Sequence, residues 1–123
     1  MAIPGTLHDC LALEIWLTWL GPQQSNGTLL NYVDNPGSFA DSSSTALLAA
    51  TTLRFSLFTS VGTHDTAALQ ALSLVFQSID KNGWLLNTVN PLSFGEPNRD
   101  GAYSPEGQSF VLQLAAAWVA SGF

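Results

Sequence analysis

Two stretches of this chain are near copies of one another: residues 27–33 (GTLLNYV) and 83–89 (GWLLNTV), each followed by a pentapeptide, NPGSF at 35–39 and NPLSF at 90–94. With Asp34 left out of register, nine of twelve aligned positions are identical. A repeat at fixed period constrains architecture before residue propensities do, because each copy must be one supersecondary unit stacked on its neighbour. Both copies start at an Asn-Gly turn (Asn26–Gly27, Asn82–Gly83), pass through a β-prone Leu-Leu-Asn-x-Val stretch and close at Asn-Pro. Each is read as a short extended excursion between helices.

The flanking segments are helical in pattern and alternate in kind. Thr6 to Leu20 carries Leu7, Cys10, Leu11, Ile15, Trp16, Trp19 and Leu20 at helical spacing and stops at Gly21–Pro22. Asp65 to Lys81 sets Leu69, Leu72, Val75, Phe76 and Ile79 against Gln70, Ser73, Gln77 and Lys81, the signature of an outer helix with one wet face. By contrast, the segment capped by Asp41 and running to about Thr59 is apolar or small on nearly every side. So is the last helix, with Ser104 as cap, Pro105 at the first helical position, Glu106 in the first turn and Gly122 as stop. A helix apolar all round is expected to be buried all round. The order is outer helix, excursion, inner helix, twice over, which predicts an all-α chain of four main helices in two tandem hairpins (about 6–59 and 64–122) of an (α/α) toroid type. Two hairpins do not close a ring, so further chain before Met1 or association into a homo-oligomer is expected.

Composition limits what such a chain does. With three basic residues, nine acidic ones and a net charge of −6, it lacks the clustered Lys and Arg that carry nucleic-acid affinity. Only 10% of residues are charged and 46% are hydrophobic, against roughly 25% charged in a soluble domain, so apolar surface left for a partner is expected. No apolar run approaches the ~20 residues needed to span a bilayer. The opening Met-Ala-Ile-Pro-Gly does not have the form of a secretory signal peptide. Cys10 is the sole cysteine, and Asn26-Gly27-Thr28 matches a glycosylation sequon that matters only in a secreted protein.

Candidate chemistry gathers where both inner helices begin. Asp41 is a helix N-cap and, alternatively, a ligand group; Ser42, Ser43, Ser44, Ser104 and Glu106 converge on the same end of the bundle. The segment 95–103, absent from the first repeat, concentrates Glu96, Asn98, Arg99, Asp100 and Tyr103. Trp84 follows the second turn, where it either packs in the core or offers its face to a sugar ring. Asp41, Ser42, Trp84, Arg99, Tyr103 and Glu106 are therefore the candidate substrate-binding residues. His8 and His64 have no metal-ligand spacing around them, and no phosphate loop, nucleophile elbow or dinucleotide fingerprint occurs; no cofactor is expected.

The runs NYVDNPGSF (31–39) leading to Asp41 to Ala46, VNPLSF (89–94) and SPEGQSF (104–110) resemble the C-terminal third of fungal six-hairpin glycosidases of glycoside hydrolase families 88 and 105, the unsaturated glucuronyl and rhamnogalacturonyl hydrolases. The resemblance implies an (α/α)6 barrel, secretion and an acidic oligosaccharide as ligand. It also implies that the Asp acting as general acid and base belongs to a more N-terminal hairpin, so that no residue here inherits the catalytic role. That family usually has Glu where this chain has Asp41. The expectation is a truncated relative or fragment, non-catalytic alone and glycan-binding; the alternative is a non-catalytic oligomeric binding or effector protein built on the same hairpins.

Overall fold

The computed structural model describes residues 22–123. The helix expected over Thr6 to Leu20, with His8 and Cys10, lies outside the described residues. Within them the order is β1 (Leu29–Leu30), β2 (Ala40–Asp41), α1 (Ser42–Thr59), α2 (Asp65–Gln77), β3 (Val89–Asn90), β4 (Ser93–Pro97) and α3 (Pro105–Ser121). This is a mostly helical small domain, three described helices with two small antiparallel ribbons. β1 pairs with β2 in the register Leu29 to Asp41, and β3 with β4 through a bulge between Val89 and Asn90.

The turns that open the two excursions share their backbone bonds. Gly27 and Gly83 both take positive φ (97° and 88°), the conformation that favours glycine. The Gly27 N–H donates to Gln24 O (2.8 Å) and the Gly83 N–H to Asp80 O (3.0 Å), while the Gln24 and Asp80 N–H groups return to the Thr28 and Trp84 carbonyls. Each inner helix then grips its own excursion from its fourth residue: the Leu29 N–H donates to Thr45 Oγ1 (2.9 Å), and the Leu85 N–H to Gln108 Oε1 (3.1 Å).

Helix ends follow the local chemistry. Asp41 caps α1 through bonds from the Ser43 and Ser44 N–H groups, Ser104 caps α3 through the Gly107 N–H, and Gly122 stops α3 in the left-handed conformation. One boundary differs from expectation: α2 ends at Gln77 rather than Lys81. The Ser78 hydroxyl and N–H both return to Leu74 O, after which Ile79 leaves the helix to pair with Leu85 across the Asn82–Gly83 turn.

The core is a seam of small and medium side chains. Ala46, Ala49, Ala50 and Leu53 of α1 meet Ala68, Ala71, Leu72 and Val75 of α2 and Val111, Leu114 and Ala117 of α3. Alanine on facing helices lets the backbones approach closely. The few larger residues carry most of the apolar burial, so Leu114→Ala at this fully buried position is expected to cost roughly 2–5 kcal/mol, read from the shift in urea midpoint. The amphipathic pattern expected of α2 is present, with Gln70, Ser73 and Gln77 exposed opposite its buried stripe. The expectation that the inner helices are buried on every side does not hold. Leu112 and Val119 of α3 are 68% and 76% exposed, and Leu57 and Phe58 of α1 are also bare, because the described helices cover only part of each inner helix: α1 meets α2 and α3, and α3 packs chiefly on α1.

Candidate functional site

A cleft of about 410 Å³ opens at the end of the bundle where α1 and α3 start. One wall is the second excursion, Leu85 to Thr88; the facing wall is the turn from Pro97 to Ala102; Phe39 and Ala40 of the first repeat complete the rim. The cleft exists because the second repeat carries the extra residues between its pentapeptide and its inner helix, and this insertion folds back over the excursion. Asn98 pins the fold-back: its N–H donates to Thr88 O (2.9 Å), and its amide reaches Thr88 Oγ1 and Ala102 O (both 3.3 Å).

Of the six candidate residues, the structure places two inside and four at the surface. Asp41 is 2% exposed, and its Oδ1 accepts from the Ser43 N–H and hydroxyl and from the Val89 N–H (2.9 Å), while Oδ2 accepts from the Ser44 N–H. The carboxylate is thus both a helix cap and a tie between hairpins. Ser42 does the same work one residue on, donating its N–H to Asn87 O and its hydroxyl to Leu86 O (2.5 Å) and Asn87 O. These two residues hold the excursion wall in place from behind.

Arg99 and Asp100 line the cleft and are exposed, bringing one cation and one carboxylate to its mouth. Trp84 and Tyr103 stack with ring centroids 4.6 Å apart and planes 13° from parallel. They adjoin the lining residues Leu85 and Ala102 in the chain and pull the insertion onto the excursion. Both rings stay partly open to solvent, at 39% and 36%. Trp84 therefore sits in neither of the two expected places alone: one face packs on Tyr103 and the rest remains accessible. Glu106 is exposed in the first turn of α3, where its carboxylate accepts from the Ser104 hydroxyl (3.3 Å).

Sequence reasoning passed over Asn87 and Phe39 as lining residues. Asn87 takes φ 60°, and its carbonyl is aimed at Ser42 by that conformation. The available signal was its residue type, since asparagine is enriched among non-glycine residues of positive φ. Among the described residues no three His, Cys, Asp or Glu side chains gather as a metal site would. No described helix is long and apolar enough to cross a membrane.

Three described helices with small two-stranded ribbons before α1 and α3, and the starts of those two helices at one end, resemble part of an (α/α) toroid. The solved structures this chain is similar to are of that kind. One, from Salmonella enterica serovar Paratyphi A and described as a possible member of the GH105 family, superposes with a TM-score of 0.83 at 19% identity, over 94% of this chain and 32% of the other. A second, from Klebsiella pneumoniae and described in the same words, gives 0.80 at 21% identity, over 97% of this chain and 34% of the other. The chain thus spans about a third of the length of the structures it matches. No family model matches it, and no curated protein does.

Proposed function

We propose that this chain is a non-catalytic relative or segment of an unsaturated-uronyl glycoside hydrolase, and that its mouth cleft binds an acidic oligosaccharide. The observation that carries the reading is the cleft between the second excursion and the 97–102 turn, with Arg99 on its lining and the Trp84–Tyr103 stack beside it. A guanidinium offers a fork of N–H donors matched to a carboxylate such as that of a uronate, and partly open aromatic faces suit the apolar faces of sugar rings. Glycoside hydrolysis calls for a pair of carboxyl groups set across the scissile bond. Among the described residues Asp100 is the only carboxylate on the lining, and Asp41 is committed to four hydrogen bonds behind the wall.

Titration calorimetry with unsaturated uronyl oligosaccharides from pectin and from glycosaminoglycans tests this reading. Binding is expected, with Arg99→Ala weakening it roughly ten-fold or more through the lost charge-assisted bonds. Neutral oligosaccharides of equal length are expected to bind no better than that variant. Affinity unchanged in Arg99→Ala, or measurable release of unsaturated uronic acid by this chain alone, would count against it.

A further inference from the structure

The two hairpins are repeats of one unit, so what covers the first indicates what fits the second. Aligning the inner helices on their N-caps, Asp41 and Ser104, pairs Thr45 with Gln108, the two residues that grip their own excursions by the same kind of bond. The alignment is therefore structural as well as sequential. Under it, Ala46, Ala49, Ala50 and Leu53 of α1, all at most 3% exposed, correspond to Ser109, Leu112, Gln113 and Ala116 of α3, all exposed. The α1 residues belong to the core that the second hairpin builds. The matching face of α3 is exposed and has no described helix on it.

The opposite faces show the converse. Gly107, Val111, Leu114 and Ala117 of α3 are buried, and Gly107 packs so closely on α1 that a Cβ there would lie 3.2 Å from that of Ser43. Their counterparts on α1 are Ser44, Leu48 and Thr51, half-buried, and Arg54, exposed. The turn glycines repeat the asymmetry. A Cβ on Gly27 would lie 2.7 Å from Gln70 O of α2, whereas the equivalent Gly83 has no described atom within 4 Å of that point. Each inner helix thus carries a leading face and a trailing face: the leading face of α3 is exposed, and the trailing face of α1 is half-buried at Ser44, Leu48 and Thr51 and exposed at Arg54, with no described helix packed on either.

We propose that a second copy of this chain docks head to tail, its α1 face of Ser44, Leu48, Thr51 and Arg54 set against Ser109, Leu112, Gln113 and Ala116, repeating the contact that joins the two hairpins within one chain. An interface between unlike faces propagates until it closes on itself. Each chain covers 32–34% of the matched toroids, so closure takes three copies.

Sedimentation velocity of the 123-residue chain over a concentration series tests the proposal. Mass-action association is expected, ending at three times the 13.1 kDa of one chain. Leu112→Glu places a charge in the interface and is expected to weaken association at least about ten-fold; the residue is solvent-exposed within one chain, so the fold is retained. Leu48→Glu on the other face is expected to act alike, with Arg54→Glu as the substitute should circular dichroism show that Leu48→Glu fails to fold. An equimolar mixture of leading-face and trailing-face variants retains one intact contact and is expected to stop at a heterodimer. A parent chain that stays monomeric throughout overturns the proposal, as does association insensitive to Leu112→Glu or a mixture that forms no heterodimer; a monomer would assign the bare face to a further hairpin of a longer chain.

Discussion

Gly27→Ala is expected to destabilise the fold by roughly 2–5 kcal/mol, and Gly83→Ala, at the same place in the second repeat, by only about 1–2 kcal/mol. Both glycines take positive φ, so both substitutions incur the strain of an L side chain in that region. At Gly27 there is also a collision, because the new Cβ would stand 2.7 Å from the carbonyl oxygen and 2.9 Å from the carbonyl carbon of Gln70. Those are backbone atoms inside α2, and they move only if the helix moves. The bonds that seat α2 against the first turn, from Gln23 Nε2 to Ala67 O and from Gln70 Nε2 to Ser25 O, would stretch with it. Urea unfolding of the two variants side by side reads the difference. Equal midpoints would mean that α2 does not press on the first turn as described.

Asp41→Ala is expected to cost roughly 2–4 kcal/mol, more than twice Ser104→Ala, although both remove the cap of an inner helix. Losing an N-cap costs about 0.5–2 kcal/mol. Ser104 does little else, accepting from Gly107 and donating to an exposed carboxylate. Asp41 also accepts from the N–H of Val89 in the other hairpin, and a buried donor stripped of its partner costs a further 1–3 kcal/mol or so. The second effect has its own readout. Amide exchange at Val89 should accelerate in Asp41→Ala and stay near that of the parent in Ser104→Ala, since only the former releases the strand that directly follows the cleft wall. If both variants lose equal stability and Val89 exchange is unmoved, the carboxylate is a cap and nothing more.

Much of the fold was legible because its signals are local. The caps Asp41 and Ser104, Pro105 at the first helical turn, the stop at Gly122 and the two Asn-Gly turns each depend on the backbone chemistry of a few adjacent residues, and all appear where expected. The end of α2 was missed because Ile79 and Lys81 continue the helical pattern, while the Ile79 pairing with Leu85 depends on a turn that brings the chain back. The candidate site was legible only as an inventory. Residue type singled out Arg99, Trp84 and Tyr103, but their meeting beside one cleft depends on the 97–102 turn folding over the excursion, held by Asn98 and by ring stacking. Apolar character on every side of the inner helices suggested burial on every side. A helix can display apolar side chains beyond the faces its neighbours cover, and composition does not count neighbours.

The sequence by itself determined the unit: a turn, an extended excursion and a capped inner helix, written twice in nine identical positions of twelve. Such units are set by hydrogen bonds and backbone conformations spanning a few residues, and those are the same wherever the unit sits. Only the tertiary structure decided how the units differ. It buried the face of α1 and left that of α3 open, covered Gly27 and bared Gly83, and turned Asp41 from a cap into a link between hairpins. Those differences arise from which neighbour each repeat meets, a property of position in the stack that no local run of residues encodes.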